Sequence, residues 1–267
     1  MDVHLHTASI AFGSTIFVFY IIFNTLLQYY YYKGRVGDVK VWKTQAGKSS
    51  AVGKAAARWW LPIFSNKEKR PPHYAIFATM NVLLQVACAT TAIELVCRGY
   101  SSMRFEPVEN EWKMSIVSFF LGIVLHMMLE YYWHRLMHLR WFYCTFHKYH
   151  HYFKSPEPFD DMYIHPLEAL GYYIIMYSTP FLIPMHWTAF AGYMIVVGVA
   201  GVMDHSGIKF HFPLFYASED HDLHHEKYEV NYSFPFMWMD ILHGTFRGTY
   251  AGITFEGKIP KKHNVSY

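Results

Sequence analysis

From Ala8 to Tyr32 the chain reads ASIAFGSTIFVFYIIFNTLLQYYYY, 25 residues without a charge. At about 1.5 Å per residue, such a run crosses a hydrocarbon layer of about 30 Å with some tilt. A cleaved signal peptide has a shorter apolar region and a basic leader. Here Met1 to Thr7 carry Asp2 and no Lys or Arg, so the run reads as a membrane-spanning helix.

Further apolar segments make the chain polytopic. Tyr74 to Val96 is broken only by Glu94, and Met114 to Trp133 carries His126 and Glu130 in its second half. Both are long enough to span. Leu167 to Met203 is free of charge after Glu168, with Pro180 and Pro184 in its middle, where proline removes a backbone donor and kinks a helix. That pattern predicts a hairpin of two helices, about seventeen residues each, whose ends emerge on one side. The expected fold is all-α: about four transmembrane helices bearing a cytoplasmic, histidine-rich helical cap. Residues 1–113 form the N-terminal membrane region with its basic loop, 114–250 the principal domain and 251–267 a tail. With 53% hydrophobic residues and 16% charged ones, the composition fits this class better than a water-soluble domain.

Loop charge sets the orientation. Ten basic residues (Lys33, Arg35, Lys40, Lys43, Lys48, Lys54, Arg58, Lys67, Lys69 and Arg70) face only Asp38 and Glu68 in the first loop, whereas Arg98 to Lys113 balances three basic residues with three Glu. The positive-inside rule places the first loop in the cytoplasm. Beside several spans, a nucleic-acid patch is a poor reading of this loop; it could also hold anionic headgroups. Counting helices from there brings residues 134–151 and 204–267 to the same cytoplasmic face. The three cysteines, Cys88, Cys97 and Cys144, form no CxxC pair and indicate no disulfide framework.

Three histidine clusters lie on that face. His134 and His138 are four apart; His147, His150 and His151 follow at offsets zero, three and four; His221, His224 and His225 repeat that spacing. On a helix these offsets share one face, so each cluster should project its imidazoles in one direction. Buried together without a partner, so many polar rings are costly, and a metal satisfies them. One divalent ion takes four to six ligands, so eight or more histidines suit two ions. No cysteine has zinc-finger spacing, and the HExxH motif of zincins is absent.

The stretches HRLMH, HKYHH and HDLHH resemble the HxxxH, HxxHH and HxxHH boxes of the fatty acid hydroxylase and sterol desaturase superfamily, the membrane-bound non-haem di-iron oxygenases. HPLE at His165–Glu168, DHSG at Asp204–Gly207 and NYSFPFMWMDILHGT at Asn231–Thr245 resemble the branch containing the C-4 methylsterol oxidases. The resemblance implies that His134, His138, His147, His150, His151, His221, His224 and His225 bind two iron ions and carry the catalysis. It implies His205 as a ninth ligand and His165 as a tenth, with zinc as a substitute metal after overexpression. Where that branch has small residues before HPxE and WD-x-x-FGT near its end, this chain has SPEPFDDMY and WMDILHGT, which bears on the substrate more than on the metal.

Such a site would cleave O2 and oxidise a C–H bond of a membrane lipid, sterol-like or fatty acyl, by hydroxylation, methyl oxidation or desaturation. The chain has no GxGxxG fingerprint. The family therefore implies cytochrome b5 and its NAD(P)H-dependent reductase as electron donors, docking in part on the basic loop, and an endoplasmic reticulum membrane. Glu130, four before His134, is the expected acceptor for an imidazole N–H; Asp222 and Asp240 are further candidates, with solvated surface charge the favoured reading of Asp222. Trp133, Trp141, Phe142 and Tyr143 would line a lateral route in from the bilayer, or form an interfacial belt. A zinc-dependent lipid hydrolase and a metal transporter are the rival classes. A transporter would set its ligands near the bilayer midplane, whereas these clusters lie beyond the ends of the apolar runs.

Overall fold

A computed structural model describes residues 5–47, 71, 73–106, 111–211, 217–250 and 252–257. The remainder of the basic loop, from Lys48 to Arg70, and the tail beyond Gly257 lie outside the described residues.

The apolar runs become long helices: α1 (Thr7–Leu27), α2 (Tyr74–Cys97), α3 (Glu111–Met137), α4 (Pro166–Leu182) and α5 (Trp187–Asp204). Helix α1 runs on as a wider π-helical turn, Gln28–Gly34. With that extension, α1, α2, α3 and α5 are long and apolar enough to cross a membrane. Many of their apolar side chains point outward, among them Ile22, Leu83, Phe120 and Ile195, as a lipid-facing surface requires. The α4–α5 hairpin forms as expected, its turn holding Pro184, while Pro180 is tolerated inside the last turn of α4.

Packing pairs α1 with α2, α2 with α4, and α3 with both α4 and α5. Close approach of α3 to α4 depends on Gly171, where a Cβ would come within 2.1 Å of the Trp133 indole. Polar side chains inside the bundle are bonded across elements. Asn81 donates to the carbonyls of Met162 and Ile164 at 3.0 and 2.7 Å, and Asn24 accepts from the Phe159 amide at 3.1 Å. Both tie the membrane helices to the loop between the second histidine cluster and α4. At the opposite end, Glu94 takes hydrogen bonds from His6, Ser9 and Arg98.

A cap covers the end of the bundle where α3 and α5 finish and α4 begins. It comprises the segment between α3 and α4, the helix α6 (Ser218–Lys227), the short helix α7 (Trp238–His243) and a hairpin of β1 (Arg247–Tyr250) with β2 (Ile253–Glu256). The hairpin is antiparallel with Arg247 opposite Glu256, and its two short strands sit in a fold that is helical as expected. It straddles the boundary placed at residue 250, because one of its strands lies on each side.

The start of the basic loop packs into this cap. Lys43 is fully buried and donates to the Tyr32 hydroxyl at 2.9 Å, which in turn donates to the Ser206 carbonyl at 2.7 Å. That lysine is therefore unavailable to a docking partner, and burial lowers its pKa. Gly207, at φ +65°, fits here because a Cβ would meet the Pro156 carbonyl at 2.4 Å.

Candidate metal centre

Four elements deliver nine histidines to one place. His134 sits in the last turn of α3 with His138 just beyond it; His205 caps the C-terminus of α5; and His221, His224 and His225 lie on α6. The second cluster does not form a regular α-helix. His147 ends a π-helical turn, Tyr143–His147, and His150 and His151 open a 3-10 turn, His150–Tyr152. This cluster divides between two destinations, as does the third cluster on the regular helix α6, contrary to the single direction expected from their spacing.

The ring nitrogens converge in two groups. His134, His138, His147, His151 and His224 form one, and His150, His205, His221 and His225 the other; within each group the candidate ligand atoms all lie within 4.8 Å of one another. In the first group, His138 Nε2 stands 2.9 Å from His147 Nε2, 3.2 Å from His224 Nε2 and 3.3 Å from His151 Nε2. In the second, His221 Nε2 stands 2.9 Å from His205 Nε2 and 3.1 Å from His225 Nε2. The groups adjoin, with the His151 and His225 rings 4.7 Å apart.

The opposite ring edges explain why Nε2 faces inward. His134 Nδ1–H donates to the Tyr232 carbonyl at 2.9 Å, His224 Nδ1–H to the Val230 carbonyl at 2.7 Å and His205 Nδ1–H to the Gly201 carbonyl at 3.2 Å. His147 Nδ1–H donates to the buried Glu168 carboxylate. With the proton fixed on Nδ1, each Nε2 presents a bare lone pair. Burial, reinforced by the neighbouring imidazoles, holds His138, His147, His150, His151, His221, His224 and His225 well below the usual histidine range, and burial lowers His205 to about 4. All of these are therefore neutral at pH 7, the form that binds metal.

The donor set fits a pair of metal ions. Bare acceptors crowded to about 3 Å repel unless a cation lies between them. Two nitrogens bound about 2.1 Å from one ion at a right angle stand about 3.0 Å apart, matching the spacing here. His165 lies outside both groups: it caps α4, its Nδ1 accepting from the Leu167 amide at 3.2 Å, and its ring packs on Phe146.

The carboxylates sort differently from the sequence expectation. Glu130 does not serve His134; its Oε2 stands 2.6 Å from His126 Nε2, one turn in the other direction along α3. Asp222 is buried rather than solvated, bonded to Thr44 and, at 3.1 Å, to Gln45 Nε2, and burial raises it to about 6. Asp240 is fully buried and accepts from the Tyr232 and Ser233 amides at 3.0 and 2.7 Å and from the Thr245 hydroxyl at 2.6 Å. It thereby fixes the loop whose carbonyl holds His134. Glu168 was visible only as part of the HPLE stretch, and the carbonyls of Tyr232, Val230 and Gly201 have no sequence signal, because every residue carries one.

A cavity of about 170 Å³ opens from the histidines into the bundle. His134, His150, His205 and His221 form its floor, and side chains such as Ile16, Phe19, Tyr173, Met176, Met194 and Val197 form its walls. None of Trp133, Trp141, Phe142 and Tyr143 lines it. Trp133 packs instead on Tyr172 and Gly171, and Trp141 projects from the surface.

The family model described as fatty acid hydroxylase matches residues 119–245. Lathosterol oxidase of Rattus norvegicus is 29% identical over 196 residues, 70% of this chain and 64% of that protein. The very-long-chain aldehyde decarbonylase GL1-8 of Oryza sativa subsp. indica is 26% identical over 211 residues, 74% of this chain and 78% of the relative. The Delta(7)-sterol 5(6)-desaturase ERG3A of Gibberella zeae is 34% identical over 118 residues, 43% of this chain and 34% of that protein. The chain thus spans less than two thirds of the lathosterol oxidase. No solved structure gives a significant match.

Proposed function

Because residues 119–245 match the family model described as fatty acid hydroxylase, we propose that the protein is a membrane-bound, O2-dependent oxidoreductase of that family that hydroxylates or oxidises a C–H bond of a membrane lipid. The observation that carries this reading is the meeting of two groups of neutral, buried imidazoles with the floor of an apolar cavity between membrane-length helices.

In this reading His134, His138, His147, His151 and His224 hold one iron ion, and His150, His205, His221 and His225 the other. Iron bound there supplies the activation of O2 and the oxidising power to break an unactivated C–H bond. The chain supplies the rest. Glu168 and the three backbone carbonyls lock four of the imidazoles by their Nδ1–H bonds, so little reorganisation is needed when metal binds. The apolar walls exclude water and receive the hydrocarbon body of the lipid. The chain spans a membrane with its histidines on the cytoplasmic side, where cytochrome b5 and its NAD(P)H-dependent reductase deliver electrons; the sterol-oxidising relatives suggest the endoplasmic reticulum.

The test is lipid analysis of cells lacking the protein and of cells in which it is restored, under 18O2. Accumulation of one lipid in its absence, and 18O in the restored product, is the expected result. Loss of two hydrogens without label would assign desaturation at the same site. Conversion that needs no O2 would replace the oxygenase with a zinc-dependent hydrolase.

A further inference from the structure

The cavity wall carries polar groups that the metal centre does not use. Along α3, Glu130 lies one turn and His126 two turns from His134, about 6 and about 12 Å deeper into the bundle. Both line the cavity. Glu130 Oε2 stands 2.6 Å from His126 Nε2, and His126 Nδ1 is 2.8 Å from the Tyr193 hydroxyl, which donates to the Met176 carbonyl at 2.9 Å. No protein donor among the described residues reaches the second oxygen, Glu130 Oε1.

A second carboxylate shares the cavity. Asp204, at the end of α5, is 4% exposed, lines the cavity and has no hydrogen-bond partner for its Oδ2. The helices α3 and α5 that carry these two acids pack against each other. These two carboxylates thus face a cavity with mainly apolar walls, whose third carboxylate, Asp161, already accepts from the Tyr20 hydroxyl at 2.7 Å. Dry acceptors are unfavourable, and ionisable residues retained inside a membrane bundle are functional by default. Tyr193 fixes the His126 ring, which stands at ion-pair distance from Glu130 Oε2, and this series of contacts ends on the Met176 backbone carbonyl, so it leads to no proton source and sets the position of Glu130.

We propose that Glu130, oriented by His126, and Asp204 bind the hydroxyl of a lipid alcohol whose hydrocarbon body fills the cavity, and so position its reacting carbon over the histidines. This rests on the reading of the chain as a lipid-oxidising enzyme. Because Glu130 is one turn from His134, the hydroxyl and the reacting carbon are within about 6 Å of each other along the cavity. The substrate class is therefore a lipid with a hydroxyl close to the site of oxidation, and a plain acyl chain or hydrocarbon is excluded. Glu130 and Asp204 are positioning residues in this account, acting through the lipid and not on the metal.

Binding rather than turnover tests the assignment. Tritiated lathosterol and hexadecanol, each beside its O-methyl ether, are titrated onto the metal-loaded protein in nanodiscs, without reductant. A hydrogen bond to a buried carboxylate is worth about tenfold or more in affinity, so the free alcohol of at least one pair binds about tenfold more tightly than its ether. In Glu130→Met that preference disappears while metal content stays at the wild-type level, and Glu130→Gln, which keeps an acceptor oxygen, restores part of it. The proposal falls if neither pair binds, if wild type binds alcohol and ether alike, or if Glu130→Met keeps the full preference. Loss of metal in Glu130→Met would also overturn it, by returning Glu130 to the metal centre. Lipid conversion that needs no O2 would defeat the oxidoreductase reading and leave this binding preference intact.

Discussion

His147 turns one ring edge to His138 Nε2, 2.9 Å away, and the other to the carboxylate of Glu168, in a setting where neither His147 nor Glu168 has exposed side-chain surface. The carboxylate lies in the first turn of α4 and the imidazole at the end of an irregular turn 21 residues earlier. One contact therefore joins a membrane helix to the metal centre and fixes the tautomer of a ligand.

Glu168→Ala should lower metal affinity roughly 10- to 100-fold, the usual cost of removing a carboxylate that orients a metal-bound histidine. Competition with a chelator of known affinity measures it. An unchanged metal affinity would separate Glu168 from the site.

His205 and His165 should behave differently. His205→Ala removes one of four imidazoles in the second group, and elemental analysis of the purified variant should show close to one metal ion per chain where wild type holds two. His165→Ala should retain both ions, since that ring caps α4 and stacks on Phe146. Equal metal loss in both variants would contradict this division.

The long helices were legible because hydrophobic length at this scale has almost one reading, and their ends fell within a few residues of the charge-free runs. The histidine clusters were legible because imidazole is costly to bury without a purpose. The partition of those clusters was not. Spacing groups residues on one broad helix face, but adjacent positions of that face point about 100° apart, so His150 and His151 on the irregular turns, and His224 and His225 on the regular α6, go to different groups. Glu130 was misplaced for a related reason: i−4 and i+4 neighbours on a helix are equivalent by spacing, and only packing shows that it faces His126. Asp222 and Asp240 looked like surface charge or loosely placed acceptors, because long-range partners such as Thr44 and Thr245 leave no local pattern.

Acid should destabilise the metal-free protein. An unfolded imidazole titrates near about 6.5, whereas burial keeps His205 neutral to about 4 and seven other cap histidines well below the usual range. Between those values the unfolded chain binds more protons, so stability falls as pH drops from about 6.5 toward 4. Asp161 and Asp220, raised to about 7, and Asp222, raised to about 6, act in the opposite sense, binding protons first in the folded chain. The histidines outnumber them, and the thermal midpoint should decrease over this window. Bound metal should be released in the same direction, because protons compete for the same nitrogens. A midpoint that rises on acidification would show that the carboxylates dominate.

Topology gives an independent check. Reporters inserted after Gly47 and after Gly257 should both face the cytoplasm, and one at the exposed Tyr100, between α2 and α3, the opposite side. Glycosylation and protease protection in microsomes distinguish them. Opposite locations for Gly47 and Gly257 would conflict with the shared cap, where Thr44 bonds to Asp222.

Asp240 provides the sharpest stability test, because it touches no metal candidate and acts through one carbonyl. Its carboxylate accepts two backbone amides and one hydroxyl, all buried. Asp240→Ala leaves these donors without partners, at about 1–3 kcal/mol each, so a loss of at least about 3 kcal/mol is expected. Asp240→Asn keeps the shape but turns an NH2 toward at least one donor, and should cost about 2 kcal/mol. Thr245→Val removes the hydroxyl's bonds to Asp240 and to the Tyr131 hydroxyl but leaves both backbone amides bonded, and should cost about 1 to 1.5 kcal/mol. Since the Tyr232 carbonyl shifts with its loop, metal content should decline in the same order, Thr245→Val least and Asp240→Ala most. Thermal unfolding in detergent and elemental analysis on the same preparations read both effects. An Asp240→Ala protein within about 0.5 kcal/mol of wild type, the range of ordinary surface substitutions, would mean that the loop holds its carbonyl on His134 without this carboxylate.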